Sequence, residues 1–265
     1  MNTFYTPDEI YAQTKQKLSD MGGEHVDYLT FVPDGEPTLD VNLGRHIDLL
    51  REFGIKTAVI TNASLIWMDE VKEDLLKADW VSMKIDAINP EVWKKIDRPH
   101  RSLDLNKILQ GIIDFSKRFK GRLVTETMMV KGINDDVAHL KKVADFLKRI
   151  NPDKAYILVP TRPPAETAVE RPSVEALRNA YDIFLQNGIQ TELIAGDEED
   201  NFYFSDDFVN DLLSITAVHP VREDVIINLL NKRNLDNSII ERLENKQLIT
   251  SYEYEGKKFY KRNFI

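Results

Sequence analysis

Between residues 26 and 195 six short apolar, largely β-branched runs alternate with longer helical stretches. The predicted strands are Val26–Val32, Lys56–Thr61, Trp80–Asp86, Arg122–Val130, Lys154–Pro160 and Ile189–Ala195. The predicted helices are Asn42–Phe53, Met68–Lys77, Pro90–Ile96, Leu105–Phe119, Val137–Ile150 and Ser173–Asn187. Strands separated by helices form βαβ units and a parallel sheet. Six such steps fit an α/β chain that is a full or partial (β/α) barrel, or an open doubly wound sheet. Two strands favour the barrel. Alternation puts Ser82, Lys84 and Asp86 on one face of Trp80–Asp86 and Val81, Met83 and Ile85 on the other. In Arg122–Val130, Val124, Glu126 and Met128 share a face. A strand covered by helices on both sides reads as apolar throughout, so a polar face predicts a wet, ligand-lined barrel interior. An edge strand with one solvated face is the competing explanation.

Before the first strand, Thr6-Pro7-Asp8-Glu9 is a capping box with proline at the first helical position, which starts a helix running to about Met21. Gly54, Gly121 and Gly188 stand where helix C-cap glycines stand. Neither a secretory signal nor an apolar run of the roughly 18 residues needed to span a membrane is visible. The reading is therefore a cytoplasmic protein without a membrane partner.

Composition changes near Gly196, where an acidic, aromatic stretch separates two expected domains, residues 1–200 and 207–265. The second part is predicted as helices Phe208–Ile215, Arg222–Asn231 and Asn237–Asn245, then strands Leu248–Glu253 and Lys257–Lys261 around Glu255-Gly256. Three short helices and a hairpin resemble a winged helix. This part has nine acidic and nine basic residues, so the net charge of −9 belongs to the first part. A generally acidic surface argues against nucleic-acid binding by the whole molecule. A local exception is the wing, where Lys257, Lys258, Lys261 and Arg262 interleave with Phe259 and Tyr260 as a candidate nucleic-acid contact. A packing or protein-interaction module is the alternative.

Active sites of α/β barrels lie at the C-terminal ends of the strands. Here those ends carry Pro33-Asp34-Gly35-Glu36-Pro37-Thr38, Thr61-Asn62, Asp86, Lys131-Gly132-Ile133-Asn134-Asp135 and Pro160-Thr161-Arg162-Pro163-Pro164. Gly35 permits close approach of a ligand to the backbone, and Pro37 holds Glu36 extended, so that its carboxylate can meet an ammonium group. Thr30-Phe31-Val32-Pro33-Asp34-Gly35-Glu36-Pro37-Thr38-Leu39 resembles the "GEP" strand of the radical S-adenosylmethionine (radical SAM) superfamily. Ser82-Met83-Lys84-Ile85-Asp86-Ala87, Ile96-Asp97-Arg98-Pro99-His100, Thr125-Glu126-Thr127-Met128 and Pro160–Pro164 are similar to one branch of it, the iron–sulfur oxidoreductases like wyosine-type tRNA-modifying enzymes. The resemblance covers roughly Phe4–Ala195. It implies a partial TIM-like barrel in which a [4Fe–4S] cluster and S-adenosylmethionine generate a 5′-deoxyadenosyl radical. By residue match, Gly35, Glu36 and Pro37 hold the methionine amino group. Asn62 and Ser82 lie near its carboxylate or ribose, Glu126 and Asn134 line the ribose side, and Lys84, Asp86 and Arg162 face substrate.

One departure decides what such a chain can do: it contains no cysteine. The resemblance implies a C-x3-C-x2-C cluster loop after a first barrel strand, ahead of the Thr6–Met21 helix. Only Met1–Tyr5 precede that helix, so both the first strand and the loop are read as missing. The five histidines form no replacement ligand spacing, and no metal ligand is assigned; His100 alone is placed near the site. The expectation is a chain truncated by a misplaced start, a split or decayed gene, or a natural cluster-free homologue, inactive in radical chemistry. A ligand-sensing barrel coupled to the winged helix, and a lyase using Lys84 as a Schiff-base nucleophile, are the alternatives. Strand Val26–Val32, left as an edge, is expected to self-associate.

Overall fold

The computed structural model describes all residues except 33–34, 162, 165, 167, 195–206, 219, 255 and 264–265. The N-terminal helix α1 (Pro7–Asp20) starts on the expected capping box: Thr6 accepts from Glu9 N–H, and the Glu9 carboxylate takes the Thr6 N–H at 2.8 Å. Six strands follow: β1 (Tyr28–Phe31), β2 (Lys56–Thr61), β3 (Trp80–Lys84), β4 (Arg122–Met128), β5 (Lys154–Leu158) and β6 (Thr191–Ile194). They alternate with α2 (Leu43–Leu50), α3 (Asp69–Leu75), α4 (Pro90–Ile96), α5 (Leu105–Arg118), α6 (Val137–Ile150) and α7 (Val174–Gln186).

All six strands are parallel, in the order β1-β2-β3-β4-β5-β6. A doubly wound sheet would reverse direction at a switch point; this one never does. The fold is thus a partial TIM-like α/β barrel. β3 lies between β2 and β4, which removes the edge-strand explanation for its polar face. Register aligns Thr30, Ala58, Trp80, Arg122 and, one step on, Ile60, Ser82 and Val124, then Lys84, Glu126, Tyr156 and Glu192. The opposite face carries Val59, Val81, Met83, Leu123, Ala155 and Ile157, which join one core with α2, α3, α5, α6 and α7. Covering one face with helices and leaving the other to polar side chains is the pattern that the alternation in β3 predicted.

Most elements end within two residues of their sequence-based bounds. The helix expected over Asn42–Phe53 is split, α2 being followed by a 3-10 turn (Arg51–Phe53) that Gly54 closes in the left-handed region, φ +68°. Gly121 has a different role from the cap expected of it. Phe119 caps α5, and a Cβ at Gly121 would stand 2.5 Å from the Asp79 carbonyl oxygen, so the residue is small to admit the backbone of the preceding strand's entry.

A second compact unit holds the remaining elements: α8 (Phe208–Val218), β7 (Val221–Arg222), α9 (Glu223–Lys232), α10 (Ser238–Asn245), β8 (Ile249–Tyr254) and β9 (Lys257–Arg262). Its strands form an antiparallel sheet ordered β7-β9-β8. The two-residue β7 was not anticipated; so short a run has no periodicity to read. Phe208, Leu212, Val221, Ile226, Leu230, Leu243, Ile249 and Tyr260 form its core. The acidic stretch after Gly196 lies mostly outside the described residues. No described helix is long and apolar enough to cross a membrane.

Candidate active site at the strand ends

The first cluster is built on Glu36. Its backbone is extended, φ −130° and ψ 119°, as the following proline requires, and Pro37 opens a 3-10 turn. The Glu36 carboxylate is buried. Oε1 accepts from Thr38 N–H (3.1 Å), the Thr38 hydroxyl (2.7 Å) and the Thr61 hydroxyl; Oε2 accepts from Asn62 N–H at 2.7 Å. The side chain therefore ties the end of β1 to the end of β2. Oε2, with one of these four bonds, keeps a lone pair for an ammonium group. Gly35 is exposed and a Cβ there would meet nothing within 4 Å, so space exists beside the backbone.

Ser82 and Glu126 meet on the polar face. The Ser82 hydroxyl donates to Glu126 Oε1 across neighbouring strands. Asn62 is exposed, and its own Oδ1 accepts from Ser64 N–H.

Beyond the end of β3 lies a cavity of about 350 Å³, lined by Asn62, Lys84, Asp86, Asp97, Arg98 and His100 on its polar side and by Trp93, Ile96, Leu103, Leu109 and Ile112 on its apolar side. Asp86 is buried; its Oδ1 accepts from Met128 N–H at 2.6 Å. Its Oδ2 has no aligned hydrogen bond, although Lys84 Nζ stands 2.9 Å away. Lys84 Nζ is also 3.9 Å from Asp97 Oδ1. Burial pushes the Asp97 carboxyl up to about 8, helped by the Asp86 charge and opposed by Lys84. A proton on Asp97 supplies the donor that Asp86 lacks.

Burial lowers the Lys84 ammonium pKa, but Asp86, Asp97 and Glu126 outweigh it, and the net shift is upward. This corrects the Schiff-base expectation: a nucleophilic lysine needs a lowered pKa, and Lys84 is held as a cation.

Asn134 is a second correction. It is fully buried, with Nδ2 donating to the Asp86 (3.0 Å) and Met128 (2.9 Å) carbonyls and Oδ1 accepting from Val130 N–H at 2.8 Å. Its hydrogen-bonding capacity goes to backbone, so it supports the β3 and β4 ends rather than lining a ligand. Arg162 lies outside the described residues. His100 lines the cavity, its Nδ1 2.7 Å from the Ser102 hydroxyl. Asp97 was quoted in a motif but given no role. It caps the C-terminus of α4, where a negative charge opposes the helix dipole, and that misplacement was the available signal.

In the second unit, Phe259 and Tyr260, which interleave with the basic residues of the candidate nucleic-acid contact, are 2% and 1% exposed and belong to the packed interior. Lys258 pairs with Glu223 at 3.0 Å and lies over the Tyr260 ring, and Arg262 donates to the Leu213 carbonyl.

The radical SAM superfamily model matches residues 2–147, a span that includes the Glu36, Ser82–Glu126 and Asp86–Asp97 clusters. The chain belongs to the radical SAM superfamily. Within it, the chain is 42% identical over 262 residues to a UPF0026 protein of Methanocaldococcus jannaschii, covering 98% of this chain and 82% of that one. A UPF0026 protein of Helicobacter pylori is 37% identical over 155 residues, 58% of this chain and 50% of the relative; this chain thus spans about half the length of some of its relatives. Among solved structures, a radical SAM methyltransferase from Sphaerobacter thermophilus matches with TM-score 0.58 at 18% identity, over 72% of this chain and 58% of that one. A TYW1 structure matches with TM-score 0.54 at 18% identity, over 69% of this chain and 64% of that one.

The family implies two groups. A [4Fe–4S] cluster needs thiolate ligands, and these 265 residues contain no cysteine, so the donor set does not fit. S-adenosylmethionine fits better, since Glu36 Oε2 retains acceptor capacity beside the open Gly35 backbone and Ser82 and Glu126 offer polar contacts.

Proposed function

We propose that these residues form the S-adenosylmethionine- and substrate-facing part of a radical SAM enzyme and carry out no radical chemistry by themselves. The observation that carries this reading is the Glu36 cluster: a buried carboxylate aligned by four donors, with acceptor capacity left at Oε2. Gly35, Glu36 and Pro37 would bind the methionine ammonium, and Asn62, Ser82 and Glu126 the carboxylate or ribose. Lys84 and Asp86 would face substrate. When bound, the group supplies an adenosyl sulfonium; cleaving it to a radical takes an electron from a thiolate-held cluster, for which no ligand exists in these residues. Titration calorimetry with S-adenosylmethionine tests the reading. One molecule should bind per chain, and Glu126→Gln should weaken binding about tenfold, a loss of about 1.4 kcal/mol. No saturable binding in the folded protein would overturn it.

The winged-helix reading of the second unit rests on its three helices and antiparallel sheet. Self-association is proposed through β1, which among the described residues pairs only with β2 and stands at the sheet edge near exposed Val32. Sedimentation should show a dimer that Val32→Lys shifts toward monomer; a monomeric wild type at high concentration would remove the idea.

A further inference from the structure

His46 lies on the buried face of α2 with Leu43, Ile47 and Leu50, its side chain 4% exposed. Its Nε2 stands 3.3 Å from Asp40 Oδ2. A carboxylate oxygen only accepts, so Nε2 is the donor. Nδ1 is left without a hydrogen-bond partner. Burying an unpaired nitrogen costs stability that a leucine at the same place would not. The ring also stacks toward Phe31, the last residue of β1, with centroids 6.4 Å apart. What the imidazole gains in exchange is its hold on Asp40. Asp40 ends the 3-10 turn Pro37–Leu39, its N–H donating to the Pro37 carbonyl at 3.1 Å. Its Oδ1 accepts from Asn42 N–H at 2.8 Å, at the start of α2. Asp40 thus joins the turn to the helix, and His46, one helical turn further on, fastens that joint. The turn opens on Glu36 and contains Thr38, whose N–H and hydroxyl are two of the four donors to the Glu36 carboxylate. The other two, from Thr61 and Asn62, belong to the end of β2.

We propose that His46 is a positioning residue for the ammonium site: by holding Asp40 it keeps the Pro37–Leu39 turn, and with it the Glu36 carboxylate, at the angle that meets the methionine ammonium. The proposal rests on the reading of Glu36 as an S-adenosylmethionine ligand, and adds a residue that acts through Asp40. Without the His46 bond the turn is free to shift on α2. Thr38 moves with it while Thr61 and Asn62 stay on the sheet, so the carboxylate is pulled two ways and Oε2 leaves its direction. A binding group keeps its geometry only while the residues behind it are locked in place. The effect therefore falls on affinity, beyond any general loss of stability.

Titration calorimetry on the full chain at pH 7, with S-adenosylmethionine as the probe, reads the effect. His46→Leu should weaken binding about tenfold. His46→Gln, which can place its amide N–H where the imidazole Nε2 stands, should bind within about twofold of the wild type. Asp40→Ala breaks the same bond at a part-exposed residue, so it should stay folded, and it should weaken binding to a similar degree. Adding His46→Leu to Asp40→Ala should cost nothing more, since the bond is already gone. Ile47→Ala, on the same buried face of α2, should lower the melting temperature yet leave affinity within about twofold. His46→Leu or Asp40→Ala binding like the wild type would overturn the proposal. So would His46→Gln as weak as His46→Leu, additive losses in the double variant, or an equal affinity loss in Ile47→Ala. Any of these with wild-type binding intact overturns this inference alone; a folded wild type that binds no S-adenosylmethionine overturns the cofactor reading with it.

Discussion

Glu36→Ala should lower the unfolding free energy by about 3–4 kcal/mol. The residue's carboxylate accepts four hydrogen bonds, two from backbone N–H groups of Thr38 and Asn62 and two from the Thr38 and Thr61 hydroxyls. Alanine leaves all four donors without their acceptor. Each buried donor so orphaned costs about 1–3 kcal/mol, but the hydroxyls can rotate to other partners, which brings the sum to the stated range. Glu36→Gln separates charge from shape. Its amide oxygen can replace Oε1, while its NH2 faces the Asn62 N–H, a donor set against a donor. A loss of about 2 kcal/mol is expected there. Urea unfolding at pH 7 measures both. An alanine variant within 1 kcal/mol of the wild type would show that the carboxylate does not hold the β1 and β2 ends together.

The second large effect is at Asn134. Asn134→Ala should cost about 3–4 kcal/mol, since it strands the Val130 N–H and the Asp86 and Met128 carbonyls in a region without solvent and removes packed volume. Asn134→Asp keeps the acceptor for Val130 but turns two attractive contacts into a buried charge facing carbonyl oxygens. It should lose as much or more. Thermal unfolding compared with Asn151→Ala, a substitution at an exposed helix cap, checks the scale. Equal losses for the two alanine variants would mean that Asn134 is not the strut described here.

The fold was largely legible because its signals are periodic. The alternation of Ser82 and Lys84 with Val81 and Met83 showed which face the helices would cover, and six strands separated by helices implied a parallel sheet. β7 escaped, since two residues have no period. The site was legible in its parts and less so in their roles. Gly35-Glu36-Pro37 and Ser82 with Glu126 stand at strand ends or on the polar face as expected. Asn134 was misjudged because a loop asparagine looks the same in sequence whether it turns to a ligand or to backbone carbonyls. Asp97 was passed over because its partners, Lys84 and Asp86, lie on another element and only the fold brings them to it. Phe259 and Tyr260 run in the opposite sense: beside lysines they look like contact residues, and they are core.

The consecutive order of the strands has a consequence for how the chain is assembled. Each new strand docks on the one made just before it, so each step closes a loop of similar, modest length and no pairing waits for distant segments to meet. The residues assigned to cofactor and cavity fall between Gly35 and Glu126, and their supporting Asn134 follows shortly after. All of them are in place once α6 has packed. β5, α7 and β6 extend the sheet without contributing a described residue to either cluster. In a nascent polypeptide the described residues of both clusters are thus in place before β5 forms, and the later strands act as a buttress against fraying from that side.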